Sequence, residues 1–284
     1  MFRPDRKIVD SDGKKTATLR FRTLTEMTAA ITASQADTDH DCHSVKNERG
    51  SNPWTGTNTA DEYLDMLRNG WKHGVQDAEG LEGLSSDTAE RLNFVRNVGG
   101  VFPVVPAYLA GAPDAMLDVR PMPSDSVRGL TLVIDSSFHA GVSSETVLTY
   151  AHSVMRLIAW LQAERIETSI YVVCPIQFGQ RRIIYTTPIR ETGDILQPER
   201  IAAIVHPSWL RRAWFAMVER EFYDHGMQEC DACRNSFGQV RHVNAAEMQQ
   251  VLPEAYSVIM LPKVGSGDPM KAVKESISLK LRQG

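Results

Sequence analysis

Cysteine is scarce in this chain, with four residues, Cys42, Cys174, Cys230 and Cys233, among 284. So few thiols cannot staple a chain of this length, and the fold must rest on a hydrophobic core instead of a disulfide framework. Long apolar runs are missing too. No stretch approaches the roughly 20 residues that a membrane-spanning helix requires. The first residues, Met1-Phe2-Arg3-Pro4-Asp5-Arg6-Lys7, lack the apolar centre of a signal peptide. Neither sign of charge dominates, and a net −4 gives no general argument for nucleic acid or for an acidic lipid surface. Absent as well are a nucleophile elbow, a Walker-type phosphate loop, a glycine-rich dinucleotide fingerprint and any internal repeat. These absences lead us to expect a reducing, cytoplasmic setting away from membranes.

The chain does hold ample material for a core, being 42% hydrophobic and 23% charged, ordinary values for a globular protein. Its clearest segment is Leu130-Thr131-Leu132-Val133-Ile134-Asp135-Ser136-Ser137, which reads as a buried strand ending in polar groups. Ser143 then caps a helix whose apolar positions Val147, Ala151, Val154, Met155, Ile158 and Leu161 follow the helical period. Strands at Ile170–Ile176 and Arg182–Thr187 flank a glycine-containing loop, Gln177 to Arg181, which predicts a hairpin. Helical sequence resumes at Pro198 and again after Pro207, a strand follows at Ser257–Leu261, and a last helix starts near Asp268. This order predicts an α/β domain over residues 128–284: three layers around a mostly parallel sheet, with one antiparallel strand at its edge.

Residues 1–127 read as a smaller mixed α+β part with a connector. A strand is expected at Thr16–Arg22, a helix from Thr25, and a loop from Ser34 to Ser51. Thr59 and Glu62 form a capping box for a helix that points Tyr63, Leu64 and Leu67 inward and stops at Gly70. A further helix is expected at Asp87–Val95, and the proline-rich Phe102–Pro106 stretch reads as a connector.

The strand, helix and hairpin from residue 130 onward resemble a von Willebrand A-like domain. That likeness implies a metal loop of the form Asp-x-Ser-x-Ser, to which Asp135 and Ser137 conform while His139 stands in place of the second serine. Four phrases elsewhere resemble an uncharacterised family of bacteriophage and prophage proteins. They are Trp54-Thr55-Gly56-Thr57, Asn69-Gly70-Trp71, Ala107-Tyr108-Leu109-Ala110-Gly111-Ala112-Pro113 and His206-Pro207-Ser208-Trp209-Leu210-Arg211-Arg212. This second resemblance implies a phage origin and expression in the host cytoplasm, and it supplies no activity.

Three sets of residues carry candidate chemistry. Asp135, Ser137 and His139 are the candidates for a divalent cation, since a carboxylate and hydroxyls can begin an octahedral shell. Cys230 and Cys233 have the spacing of a zinc half-site, with His225, His242, or Cys42 and His43 as completions. Arg181, Arg182, Arg211 and Arg212 are the candidates for ligand binding. Trp209, Trp214, Phe215 and Val218 would face the core, leaving Arg211 and Arg212 partly outward to pair with acids such as Glu219 and Glu221 or to contact phosphate. The leading expectation is a non-enzymatic binding or assembly protein that contacts a protein partner, or itself, through loops at the sheet edge. A nucleic-acid binder using the arginines is the alternative, and a metal-dependent hydrolase is the second.

Overall fold

The computed structural model describes residues 5–11, 14–36, 52–76, 93–97, 102–112, 115–120, 129–139, 141–164, 166–178, 181–191, 194, 197–215, 239–240 and 242–281. Strands β1 (Asp5–Ser11) and β2 (Lys14–Arg20) open the chain and lead to helix α1 (Leu24–Ala36). The short turn α2 (Asn52–Thr55) precedes helices α3 (Ala60–Asn69) and α4 (Lys72–Gln76). Next come β3 (Asn93–Asn97), β4 (Phe102–Pro103), helix α5 (Val105–Leu109) and β5 (Met116–Arg120). The central run is β6 (Leu130–Asp135), α6 (Ser144–Ala163), β7 (Thr168–Phe178) and β8 (Arg181–Arg190). Helix α7 (Pro198–Ile204) and a π-helix (Trp209–Trp214) follow, then β9 (Gln239–Val240), α8 (Ala245–Val251), β10 (Val258–Met260) and α9 (Pro269–Leu281).

The main sheet runs β1-β2-β8-β7-β6-β10, with β9 added alongside β7. Because successive side chains in a strand point to opposite faces, the alternation sorts the central strands cleanly. Leu130, Leu132, Ile134, Ile170, Val172, Cys174, Ile176, Ile183 and Tyr185 face the large cores shared with the helices. Val133, Tyr171, Val173 and Ile184 face the other way, toward Val243, Met248 and Leu252. The side chain of Ser143 accepts the Thr146 amide at 3.1 Å and so starts α6, which lays Val147, Ala151, Val154, Met155, Ile158 and Leu161 on the sheet.

The α/β class matches the sequence reading, and so does the hairpin, since β7 and β8 pair antiparallel from Phe178 opposite Arg181 back to Ile170. Three expectations need correction. The antiparallel strand β8 lies inside the sheet, because β2 pairs with it in parallel, Lys15 opposite Arg181 through Arg20 opposite Thr186. β1 then forms the edge through its antiparallel hairpin with β2. The boundary at residues 127 and 128 does not separate two cores: Leu19, Phe21, Met27, Ile31, Tyr63 and Leu67 share one cluster with Tyr185, Trp209 and Trp214. Finally, Asn93–Asn97 is a strand and not the end of a helix, paired antiparallel with β5 in a three-stranded sheet of order β3-β5-β4. Ladder pairing and the β-preferring Phe94 and Val95 outweigh the local helical pattern there. Residues 87–92 lie outside the described residues.

Two caps show how local chemistry sets the helix starts. Thr59 accepts the Glu62 amide at 3.1 Å as expected, while the Glu62 carboxylate accepts from the Asn58 amide, one residue earlier than a capping box would place it. Thr23 and Glu26 act the same way before α1, with the Glu26 amide donating to Thr23 Oγ and the Arg22 amide donating to the Glu26 carboxylate. Among the described residues no helix is long and apolar enough to cross a membrane.

Candidate functional site

Asp135 ends a strand buried along its whole length, and it is itself 2% exposed. Its Oδ1 accepts from the Ser137 amide at 3.0 Å and from the Ser137 hydroxyl at 2.5 Å, the self-closing turn that a short acidic side chain favours. Ser136 donates through both its amide and its hydroxyl to the Val173 carbonyl. The other carboxylate oxygen, Oδ2, meets His242 Nδ1 at 2.9 Å. An acceptor at that nitrogen holds a proton on Nδ1. Burial, helped by the Asp135 charge, pushes the Tyr150 hydroxyl and the Cys174 thiol up, so Cys174 stays a protonated, inert thiol.

His139 does not join this group. It is exposed, and its Nδ1 accepts the Gly141 amide at 3.0 Å. A divalent cation would need several oxygens in an octahedral array. Here both Asp135 oxygens are already engaged, and the remaining donors are a hydroxyl that gives its proton to Asp135 and an imidazole at hydrogen-bond distance. The set does not fit a hard cation, and among the described residues no group of three or more His, Cys, Asp or Glu side chains is placed to hold a metal. Cys42, His43, His225, Cys230 and Cys233 lie outside the described residues, as do Val218, Glu219 and Glu221. Beside Asp135, a crevice lined by Phe138, Tyr150, Ile204, His206 and Trp209 has room for about one water molecule.

Arg182, Arg211 and Arg212 do not make an exposed patch. Arg211 is 2% and Arg212 1% exposed, contrary to the outward placement expected from sequence. Arg211 donates to the carbonyls of Trp54 and Val142 and, at 3.2 Å, to the Ser144 hydroxyl. Its guanidinium lies 4.5 Å from the Trp54 ring centre and 4.9 Å from that of Phe138. Arg212 donates to the Thr57 hydroxyl and carbonyl, each at 2.8 Å, and to the Thr55 hydroxyl. Planar five-donor guanidinium groups suit such divergent carbonyl sets, which explains why this interior uses arginine. Arg182 spans Glu247, at 2.7 Å, and the His242 carbonyl, at 3.0 Å. The backbone of Arg181 pairs with Phe178, and its side chain lies outside the described residues.

Ser208 completes the joint, sharing a 2.8 Å hydrogen bond with Thr57 and donating to the Thr55 carbonyl. Gly56 sits at φ +81°, and a Cβ there would lie 2.8 Å from a His206 ring carbon, so only glycine lets the two segments approach this closely. His206 is buried beside Tyr63 and edge-on to Trp71, and its Nδ1 accepts the Ser208 amide at 3.2 Å. Burial drives its pKa down to about 4, so the ring is neutral at pH 7. The phrases 54–57 and 206–212, with Trp71 from a third, are thus one interlocked interior.

The remaining phrase behaves differently. Val105, Tyr108 and Leu109 are 58%, 66% and 79% exposed, while Ala107 between them is buried. Pro106 presets the first turn of α5, and the Val104 amide is held by the Ala115 carbonyl. The spacing i, i+3, i+4 puts the three exposed apolar residues on one helix face.

Sequence reasoning missed His242 as the partner of Asp135, and no local signal marks it, because 107 residues separate the two. The interior role of Arg211 and Arg212 had one available signal, the uncharged Thr55-Gly56-Thr57 and His206-Pro207-Ser208 phrases whose backbone groups need donors.

No curated protein and no solved structure gives a significant match to the chain. A protein-family model does match it, over residues 6–279, and therefore takes in both the Asp135 turn and the interlocked phrases. The chain belongs to the family described as Domain of unknown function (DUF7192).

Proposed function

We propose that this is a phage-encoded, non-enzymatic binding or assembly protein of the host cytoplasm, and that it docks a protein partner through helix α5. The observation that carries the reading is the uncovered Val105, Tyr108 and Leu109 face. Isolated exposed apolar residues are commonplace. Three on one face of a single short helix, within an uncharged stretch from Val104 to Ala112, make an anchor set for an apolar groove. Interfaces concentrate their energy in such aromatic and aliphatic anchors. The phage origin rests on the likeness of the four phrases. The von Willebrand A-like kinship rests on the order β6-α6-β7-β8 and on Asp135 and Ser137 at the end of the first of these strands.

A photo-crosslinking residue at position 108 is expected to trap one discrete partner, or a second copy of the chain, in cells that express the natural system. Leu109→Glu should abolish the adduct and weaken the isolated complex at least about 30-fold, while stability to urea shifts by less than about 0.5 kcal/mol. Absence of any specific adduct, with a monomeric sedimentation profile, would sink the reading.

The Asp135–His242 pair favours a second reading, a metal-independent hydrolase in which His242 Nε2 takes a proton from attacking water. Under this reading His242→Asn lowers turnover of an activated ester or phosphodiester about 100-fold or more with the fold intact. If the purified wild type shows no turnover above buffer, the reading fails.

A further inference from the structure

The two faces of the main sheet are covered very unequally. One carries α1, α3, α6 and α7 over two large apolar clusters. On the other, the described cover is a single strap, residues 242–257, built around α8. Only Val243, Met248 and Leu252 of the strap are fully buried against Val133, Tyr171, Val173 and Ile184.

Val251 and Ala255 pack partly on the same cluster, and the strap lies between β9, paired with β7, and Ser257, whose carbonyl accepts the Thr131 amide. Along its length it is also held by polar bonds from strand side chains. Asp135 holds His242, Arg182 holds both Glu247 and the His242 carbonyl, and Arg20 pairs with Glu254. The strap is also internally self-sufficient, which an element that moves as a unit requires. Asn244 and Glu247 close a reciprocal capping box at 2.9 and 3.0 Å, and Gln249 ties back to the Leu252 and Ala255 carbonyls.

At its far end stands Ser257, at φ +53° the sole non-glycine residue with positive φ among those described. That conformation is sterically disfavoured for serine and marks a backbone held in place by its surroundings. Directly beyond it β10 pairs in parallel with β6 and is fixed.

We propose that residues 242–257 are a strap that opens as one unit, hinged at Ser257, and uncovers Asp135 together with the apolar strip Val133, Tyr171, Val173 and Ile184. Polar anchors are screened by salt, whereas the apolar clusters on the opposite face are not. The strap is therefore a low-stability unit on a high-stability sheet.

Native-state hydrogen exchange on the full chain tests this. The amides of Met248 to Leu252 should exchange faster than those of Leu132 to Ile134, and raising sodium chloride to about 1 M should widen the gap. Glu247→Gln keeps an oxygen for the Asn244 amide but removes the charge that holds Arg182, and should speed exchange in α8 about fivefold while leaving β6 unchanged. Equal exchange of α8 and β6, responding together to salt, would overturn the proposal, because the strap would then open only with global unfolding. So would α8 exchange that ignores Glu247→Gln, since the anchors would not be holding it.

Discussion

Arg211→Lys is expected to destabilise the protein by about 1–3 kcal/mol although it preserves the charge. The guanidinium donates at once to the carbonyls of Trp54 and Val142, which lie on different segments, and it is flanked by two aromatic rings. One ammonium cannot span both carbonyls; the Trp54 carbonyl keeps the Ser144 hydroxyl as a donor, whereas the Val142 carbonyl loses the guanidinium, and a buried acceptor left without a donor costs about 1–3 kcal/mol. Burial lowers the Arg211 pKa only to about 10, so the group is cationic at pH 7 and the ring faces and carbonyl dipoles must balance its charge. Arg212→Lys should cost no more than that, because the Thr57 carbonyl keeps the Thr55 hydroxyl and the Thr57 hydroxyl keeps Ser208 when the guanidinium bonds are lost. Since both arginines clamp the same 54–57 segment, the double variant should lose less than the sum of the singles. In a melting experiment each single variant should lower Tm by about 2–5 °C. A loss below about 1 kcal/mol would mean that solvent replaces these donors at no cost.

Acid should weaken the fold through His206. Its ring is buried and its pKa is lowered to about 4, against about 6.5 in the unfolded chain. Between those values the unfolded state binds a proton that the folded state refuses, so stability rises with pH. The contribution is fully present above pH 6.5 and is lost progressively as pH falls toward 4, amounting to about 3 kcal/mol. Urea unfolding at pH 7, 5.5 and 4.5 measures it, with His206→Asn as the reference. An asparagine oxygen accepts the Ser208 amide without titrating, so the wild-type minus variant difference should shrink by about 2.4 kcal/mol across that range. Carboxylate titrations common to both proteins cancel in this difference. A difference that does not change with pH would place the ring in contact with water.

Much of the central architecture is legible in the chain because it is local. The Ser143 cap, the periodic face of α6 and the uninterrupted apolar run of β6 each fall within one window of sequence, and each has one low-energy outcome. The β7–β8 hairpin is legible for the same reason, its turn being only a few residues long. What escapes such reading is pairing at long range. Nothing near Lys15 marks it as the parallel neighbour of Arg181, and nothing near Asp135 points to His242. The arginines are the instructive case. Arg-Arg in a sequence looks solvent-seeking, yet position 211 faces Trp54, Phe138 and two carbonyls, and position 212 faces two threonines. Their environment is set by a segment about 150 residues upstream, so a reading confined to neighbours assigns them to the surface.

The placement of β2 also has a temporal consequence. A ribosome finishes β2 long before it reaches β8, and at about 5–20 residues per second the interval is roughly 10–30 s. Throughout that time the β1–β2 hairpin, α1 and α3 hold apolar side chains, Leu19, Met27, Ile31 and Leu67 among them, that still lack Tyr185, Trp209 and Trp214 of their cluster. The segment 54–57 waits in the same way for Ser208 and Arg212. Nascent chains of this protein therefore expose sticky surface for most of their synthesis, and the amino-terminal half depends on the carboxyl-terminal half, or on a chaperone, to survive it.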